Sequence, residues 1–166
     1  MSKVQSVIAY IGLGSNLDNP TRQVETALRE LTALKHSTLL AHSSLYKTRP
    51  VGPQNQPYYI NAVASLATTL DADELLDQLQ AIEQTHRRVR GTERWGPRTL
   101  DLDLLIFGEA MIDTPRLRVP HPEMADRAFV LWPLSEIAPI GMDIPGMGRL
   151  QDMLRILSGE GIERLD

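Results

Sequence analysis

Residues 100 to 104 read Leu-Asp-Leu-Asp-Leu, and this alternation restricts the fold more than any other stretch of the chain. A period of two is the period of a β-strand, in which successive side chains point to opposite faces. The leucines therefore share one face, and Asp101 and Asp103 share the other, with Cα atoms about 6.6 Å apart. Such a strand requires a sheet whose one face is buried while the other, at this point, is open. Asp is disfavoured in strands, and two neighbouring acids repel, so Lys or Thr would serve a merely solvated face better. Paired carboxylates do suit magnesium, which takes one or two of them and completes its shell with water and substrate phosphates.

The residues before this strand strengthen that reading. From Thr85 to Leu100 there are five arginines (Arg87, Arg88, Arg90, Arg94, Arg98) and one acid, Glu93, a local net of +4 in a chain whose total is −4. Arginine offers planar bidentate donors to phosphate oxygens and keeps its charge. Arg87 and Arg88 also fit a helix C-terminus, where cations favour the dipole; Arg98, between Pro97 and the strand, is not explained that way. A cationic loop beside a carboxylate pair is what a polyphosphate with bound magnesium requires. In "VPHPEMADRAF", His121, Arg127 and Phe129 stand in or beside a loop, and Tyr59, Asn61 and Trp95 could bind a flat ring by stacking and edge hydrogen bonds.

Along the chain, Val7–Leu13 predicts a first strand. "GLGSNL" lacks the Gly-Lys-Ser/Thr of a P-loop, so its glycines are expected to end that strand in a tight turn. Asn19 and Pro20 open a helix carrying Val24, Ala27, Leu28, Leu31 and Leu34 at helical spacing. Residues 38–48 predict a second strand, and "RPVGPQNQP", with three prolines and one glycine, a loop. "YYINAVASLATTL" predicts a third strand with Ile60, Ala62, Ala64 and Leu66 on one face. A second helix begins near Asp71 or Asp73 with Leu75, Leu79 and Ile82 as its stripe, and residues 99–107 form the fourth strand. A short buried helix over "AFVLWPLSEIAP" and a last one near 150–157 follow. The order β-α-β-β-α-β is the ferredoxin-like α+β pattern: an antiparallel sheet with helices on one face, the other face open, and long loops over the site. Loops 49–57 and 85–98 are expected to act as lids.

The 166 residues suit a single domain spanning 1–166. The net charge of −4 argues against a protein whose task is to coat nucleic acid, and the absence of cysteine excludes disulfides and thiolate chemistry. With no run approaching a membrane span and no apolar leader pattern in "MSKVQSVIAYIG", a cytoplasmic, soluble protein without a membrane or nucleic-acid partner is expected.

"YIGLGSNL", "RPVGPQNQPYYINAV", "ERWGPRTLDLDLLIFG" and "VPHPEMADRAFVLWPLSEIAP" together resemble the hydroxymethyldihydropterin pyrophosphokinases of the folate pathway, over roughly residues 7–140. The resemblance implies a monomer that takes two Mg2+ ions with ATP as co-substrate, and moves a diphosphate to the pterin hydroxymethyl group. It implies that Asp101 and Asp103 hold the magnesium, and that Arg88 and Arg98 contact the phosphates. It also implies that Gln80, Glu83, Arg116, His121 and Arg127 line the ATP site. The pterin would lie between Tyr59 and Phe129, with Asn61 at its edge, backbone groups of Thr48 and Val51 beside it, and Trp95 closing over it. Gly91, Pro122 and Arg118 depart from the residues best known at those positions. A rival of another class is a non-catalytic ferredoxin-like module for nucleotide or RNA, which would use the arginines and Trp95 but not the aspartate pair.

Overall fold

The computed structural model describes residues 5–49, 57–88, 99–157 and 161–165, with Arg88 described by its backbone alone. Val51, Trp95, Arg98, Gly91, the Arg88 side chain and most of the two expected lids lie outside these residues. Strand β1 (Val7–Ser15) is followed by α1 (Pro20–Thr32), β2 (Ser37–His42), β3 (Leu45–Thr48), β4 (Tyr59–Thr68), α2 (Ala72–Arg88) and β5 (Asp101–Phe107). A small pair, β6 (Ile112–Asp113) with β7 (Arg118–Val119), precedes α3 (Ala128–Ile137). The hairpin of β8 (Asp143–Ile144) and β9 (Gly148–Arg149), then α4 (Leu150–Ile156) and β10 (Ile162–Leu165), complete the order.

The main sheet runs β10-β3-β4-β1-β5, with β2 also on β4 and every neighbour antiparallel. The second strand of the sequence reading is two strands in tandem along β4. At the break, the Ser43 hydroxyl accepts the Val63 N–H at 2.9 Å and donates to the Ser44 carbonyl at 2.7 Å, so the interruption leaves no orphan there. β10, which carries no periodic signal of its own, was not anticipated. Gly12 and Gly14 do not end β1 in a turn: both lie inside it, opposite Asp103 and Asp101.

Local chemistry starts the helices where expected. Asn19 accepts from the Arg22 N–H, with Pro20 just inside α1. Asp71 and Glu74 exchange backbone bonds at 2.8 and 3.0 Å, a reciprocal cap that starts α2. At the far end of α2, buried His86 reaches Glu30 of α1 at 2.6 Å and the side-chain oxygen Oε1 of Gln23. The Gln23 amide donates to the Asp18 carbonyl at 3.1 Å, which sets its orientation and makes the imidazole the donor at Nδ1.

Two apolar cores lie on opposite faces of the sheet. Ile11, Leu13, Ala62, Leu66, Leu102 and Leu104 meet Val24, Leu31, Leu75 and Leu79 of α1 and α2 on the first. Tyr10, Val63, Leu105 and Ile106 meet Val130, Leu131 and Leu134 of α3, with Leu150 of α4, on the second. The expectation of helices on one face only is corrected by this second core. Its sequence cause is that α3 is apolar nearly all round, so it must be enclosed. A bulge between Tyr10 and Ile11, opposite Leu104 and Ile106, turns Leu105 and Ile106 to the same side and thickens the apolar floor under α3. α3 is clipped from its other end: Glu136 accepts from the Ser44 N–H at 3.1 Å, the Ser44 hydroxyl at 3.0 Å and the Tyr46 hydroxyl. Burial, with that carboxylate as acceptor, pushes the Tyr46 phenol up to about 12.

No helix among the described residues is long and apolar enough to cross a membrane. Leu131, with no exposed surface, is expected to lose about 2–5 kcal/mol of stability on truncation to Ala. Denaturant unfolding checks this, and a loss below about 1 kcal/mol would show that α3 does not close a core.

Candidate functional site

The second face is divided. α3 covers its apolar end, and the end bearing Asp101 and Asp103 borders a cavity of about 600 Å³. Crossing the sheet, its wall passes from Thr48 on β3 to Tyr59 and Asn61 on β4, Gly12 and Gly14 on β1, and the two aspartates on β5. Glu123, Asp126, Arg127 and Phe129 close it from the segment leading into α3.

The floor is shaped by what the glycines lack. A Cβ on Gly14 would stand 2.8 Å from Asn61 Oδ1, and one on Gly12 3.4 Å from Leu105. Asn61, nearly buried, donates from Nδ2 to Thr48 Oγ1 at 2.8 Å, which fixes the amide and leaves its oxygen beside Gly14. The carboxylates of Asp101 and Asp103 thus stand beside a strand with no side chain on their face at Gly12 and Gly14.

That donor set fits a hard cation. No group of three or more His, Cys, Asp or Glu side chains able to hold a metal is found among the described residues. A pair of carboxylates alone leaves most of a coordination shell for water and phosphate, as magnesium uses them. The charges agree: four described carboxylates (Asp101, Asp103, Glu123, Asp126) and two guanidiniums (Arg49, Arg127) line the cavity, so a bare polyphosphate would be repelled.

The other site residues expected from the sequence are placed as follows. Thr48, Tyr59, Asn61, Asp101, Asp103, Arg127 and Phe129 come together on the cavity wall. Gln80, Glu83, Arg116 and His121 are not among its lining residues. Arg116 pairs with Asp73 at 3.4 Å and with Asp77, both on α2. His121 accepts the Glu123 N–H on Nδ1 at 3.2 Å, while its backbone N–H donates to the Leu105 carbonyl at 2.8 Å. Glu83 reaches across from α2 and accepts the Leu102 N–H at 2.8 Å, the amide between the two aspartates. Burial pushes its carboxyl up to about 7; the Leu102 bond and Arg87 oppose the rise, and the charges of Asp101 and Asp103 add to it. Arg49, Glu123 and Asp126 were not singled out in the sequence. The acids of "PEMAD" come to the cavity because Met124–Asp126 form one 3-10 turn, a feature too short to leave a periodic signal.

The model for 7,8-dihydro-6-hydroxymethylpterin-pyrophosphokinase (HPPK) matches residues 10–139. The chain belongs to the HPPK family. It is 50% identical over 156 residues to the 2-amino-4-hydroxy-6-hydroxymethyldihydropteridine pyrophosphokinase of Pseudomonas aeruginosa, covering 94% of this chain and 95% of that one. With the Haemophilus influenzae protein of the same name it shares 50% over 132 residues, or 80% of this chain and 82% of that one. Among solved structures, the HPPK-DHPS of Plasmodium falciparum superposes with a TM-score of 0.74 at 15% identity, over 98% of this chain. That likeness concerns the fold, and this chain spans 49% of that longer protein. As an HPPK relative, the chain carries the cavity and carboxylate pair on the segment the family model matches.

Two outcomes are expected. Gly14→Ala pushes the Asn61 amide off Thr48 and costs about 1–3 kcal/mol; unchanged melting and unchanged cavity binding would show that the floor tolerates a methyl group. Glu83 holds its proton more tightly folded than unfolded, so its contribution is complete below the ordinary carboxyl range and is lost as pH rises through about 7. Glu83→Gln keeps an acceptor for Leu102 and removes that loss. Its melting midpoint should therefore fall less than that of the wild type between acid and mildly alkaline pH, and parallel profiles would refute the assignment.

Proposed function

We propose that this chain transfers the terminal diphosphate of ATP to the hydroxymethyl group of 6-hydroxymethyl-7,8-dihydropterin, releasing AMP. The observation that carries the reading is that a carboxylate pair and a fixed Asn61–Thr48 amide line one cavity in a member of the HPPK family. The chain acts as a monomer in this reading. The antiparallel order β5-β1-β4-β3 supports a ferredoxin-like frame.

Asp101 and Asp103 would hold the two magnesium ions, which neutralise phosphate charge when bound. Asn61, held by Thr48, presents its amide to the edge of the pterin, and backbone groups of Thr48 and Val51 complete that edge. Tyr59 and Phe129 offer aromatic faces for the ring, and Trp95 shields it. Arg127, Arg88 and Arg98 bind phosphate oxygens and stabilise charge as the diphosphate moves. Gln80, Glu83, Arg116 and His121 contribute to the nucleotide side. For Arg116 that role requires exchange of Asp73 and Asp77 for the ligand, a small cost because both pairs are exposed. For Glu83 the role is indirect: it anchors the amide between the aspartates and so sets their spacing. Catalysis here is mainly positioning and charge neutralisation. The rival module for nucleotide or RNA gains nothing from the family match and gives the aspartates no task.

Incubation with ATP, magnesium and the pterin, followed by separation of nucleotides, tests the reaction: AMP is expected, and ADP would point to ordinary phosphoryl transfer. Asp103→Asn preserves size and is expected to lower turnover by at least about a hundredfold, with the fold intact by circular dichroism. Turnover at the wild-type level would remove the metal role of the pair.

A further inference from the structure

The Phe129 ring, assigned above to the pterin, has a cation over it. The Arg127 guanidinium lies over the Phe129 ring, 5.6 Å from its centroid, and both residues line the cavity. Phe129 packs against the second core, which leaves its cavity side for a ligand. Arg127 is held there by Glu123, four residues earlier, whose carboxylate pairs with Nη2.

The backbone under this arrangement is pinned. Arg127 is the cap of α3: its carbonyl accepts the N–H groups of Val130 and Leu131, each at 3.0 Å, and its own N–H donates to the Met124 carbonyl at 3.1 Å. Glu123 is pinned by His121, which accepts its N–H at 3.2 Å. Only the two side chains are free to exchange partners. The Glu123 side chain is 63% exposed and that of Arg127 32%, so their pairing is weak and a multiply charged phosphate competes with it readily.

We infer that Glu123 is a positioning residue that parks Arg127 over Phe129, so that the guanidinium keeps the pterin's stacking face occupied until phosphate oxygens draw it away. A flat ring and the guanidinium cannot share one aromatic face, so occupancy by Arg127 subtracts from pterin affinity. A nucleotide that takes Arg127 returns that affinity. The two substrates are thereby coupled through one side chain, and the coupling is reciprocal. The inference rests on the pterin and phosphate roles proposed above for Phe129 and Arg127.

Binding of 6-hydroxymethylpterin, followed by its own fluorescence, tests this with and without a non-transferable ATP analogue and magnesium. The pterin is uncharged, so removing a carboxylate does not itself draw it in. Without nucleotide, Arg127→Ala should bind it roughly two- to tenfold more tightly than wild type. Glu123→Gln, which keeps the side chain's size, should shift binding in the same direction by less. The gain on adding the analogue should shrink in Arg127→Ala by the same factor. A merely structural role would instead weaken pterin binding in both states and lower the melting temperature. Equal or weaker nucleotide-free binding in both variants, with wild-type enzyme still forming AMP, overturns the parking role. A wild-type protein that forms no AMP overturns the pyrophosphokinase reading, and this inference with it.

Discussion

The ladder between β1 and β5 decides where two negative charges can stand. Leu13 opposite Leu102 and Ile11 opposite Leu104 lock the inner face against α1 and α2. A slip of one residue would drive Asp101 and Asp103 into that core and expose the leucines. The carboxylates are therefore turned outward by the packing of their neighbours. The same ladder sets Gly12 and Gly14 beside them, which keeps that face clear of side chains where a substrate would sit.

From this register the rest of the site follows. β4 on the far side of β1 brings Asn61 next to Gly14, and β3 brings Thr48 next to Asn61. A graded surface results, amide-bearing at one side, with Arg49 next to Thr48, and acidic at the other. An uncharged heterocycle suits the first and a cation-bound polyphosphate the second. Glu83 extends the acidic side from behind: buried near two carboxylates, it holds its proton to about neutral pH and so adds little further charge there.

The parts legible in the sequence were those written in a period. The alternation at 100–104 placed Asp101 and Asp103 on one face, and the 3.6-residue stripes placed α1 and α2 with their buried residues. Asn19, Pro20 and Asp71 marked helix starts through local capping chemistry. What escaped depended on partners distant in the chain. The break at Ser43 depends on Val63 and Glu136, and β10 exists because β3 offers it an edge. The second core was hidden because α3 reads only as a short apolar run, which does not say which face of the sheet it covers. Glycines in "GLGSNL" suggested a turn, whereas their small size serves a flat floor inside a strand.

Selection meets two separable halves on the outer face of this sheet. The bulge sends Leu105 and Ile106 together toward α3, so the apolar cover is anchored by residues that follow the carboxylates in the chain. Substitutions that retune the grip on a ligand at 101–103 therefore need not repack α3, whereas the 121–127 segment shares Met124 with that core. Substitutions that adjust stability under α3 need not move the carboxylates. A boundary one residue wide lets ligand preference and thermal tolerance drift independently, which gives a small enzyme room to adapt one without surrendering the other.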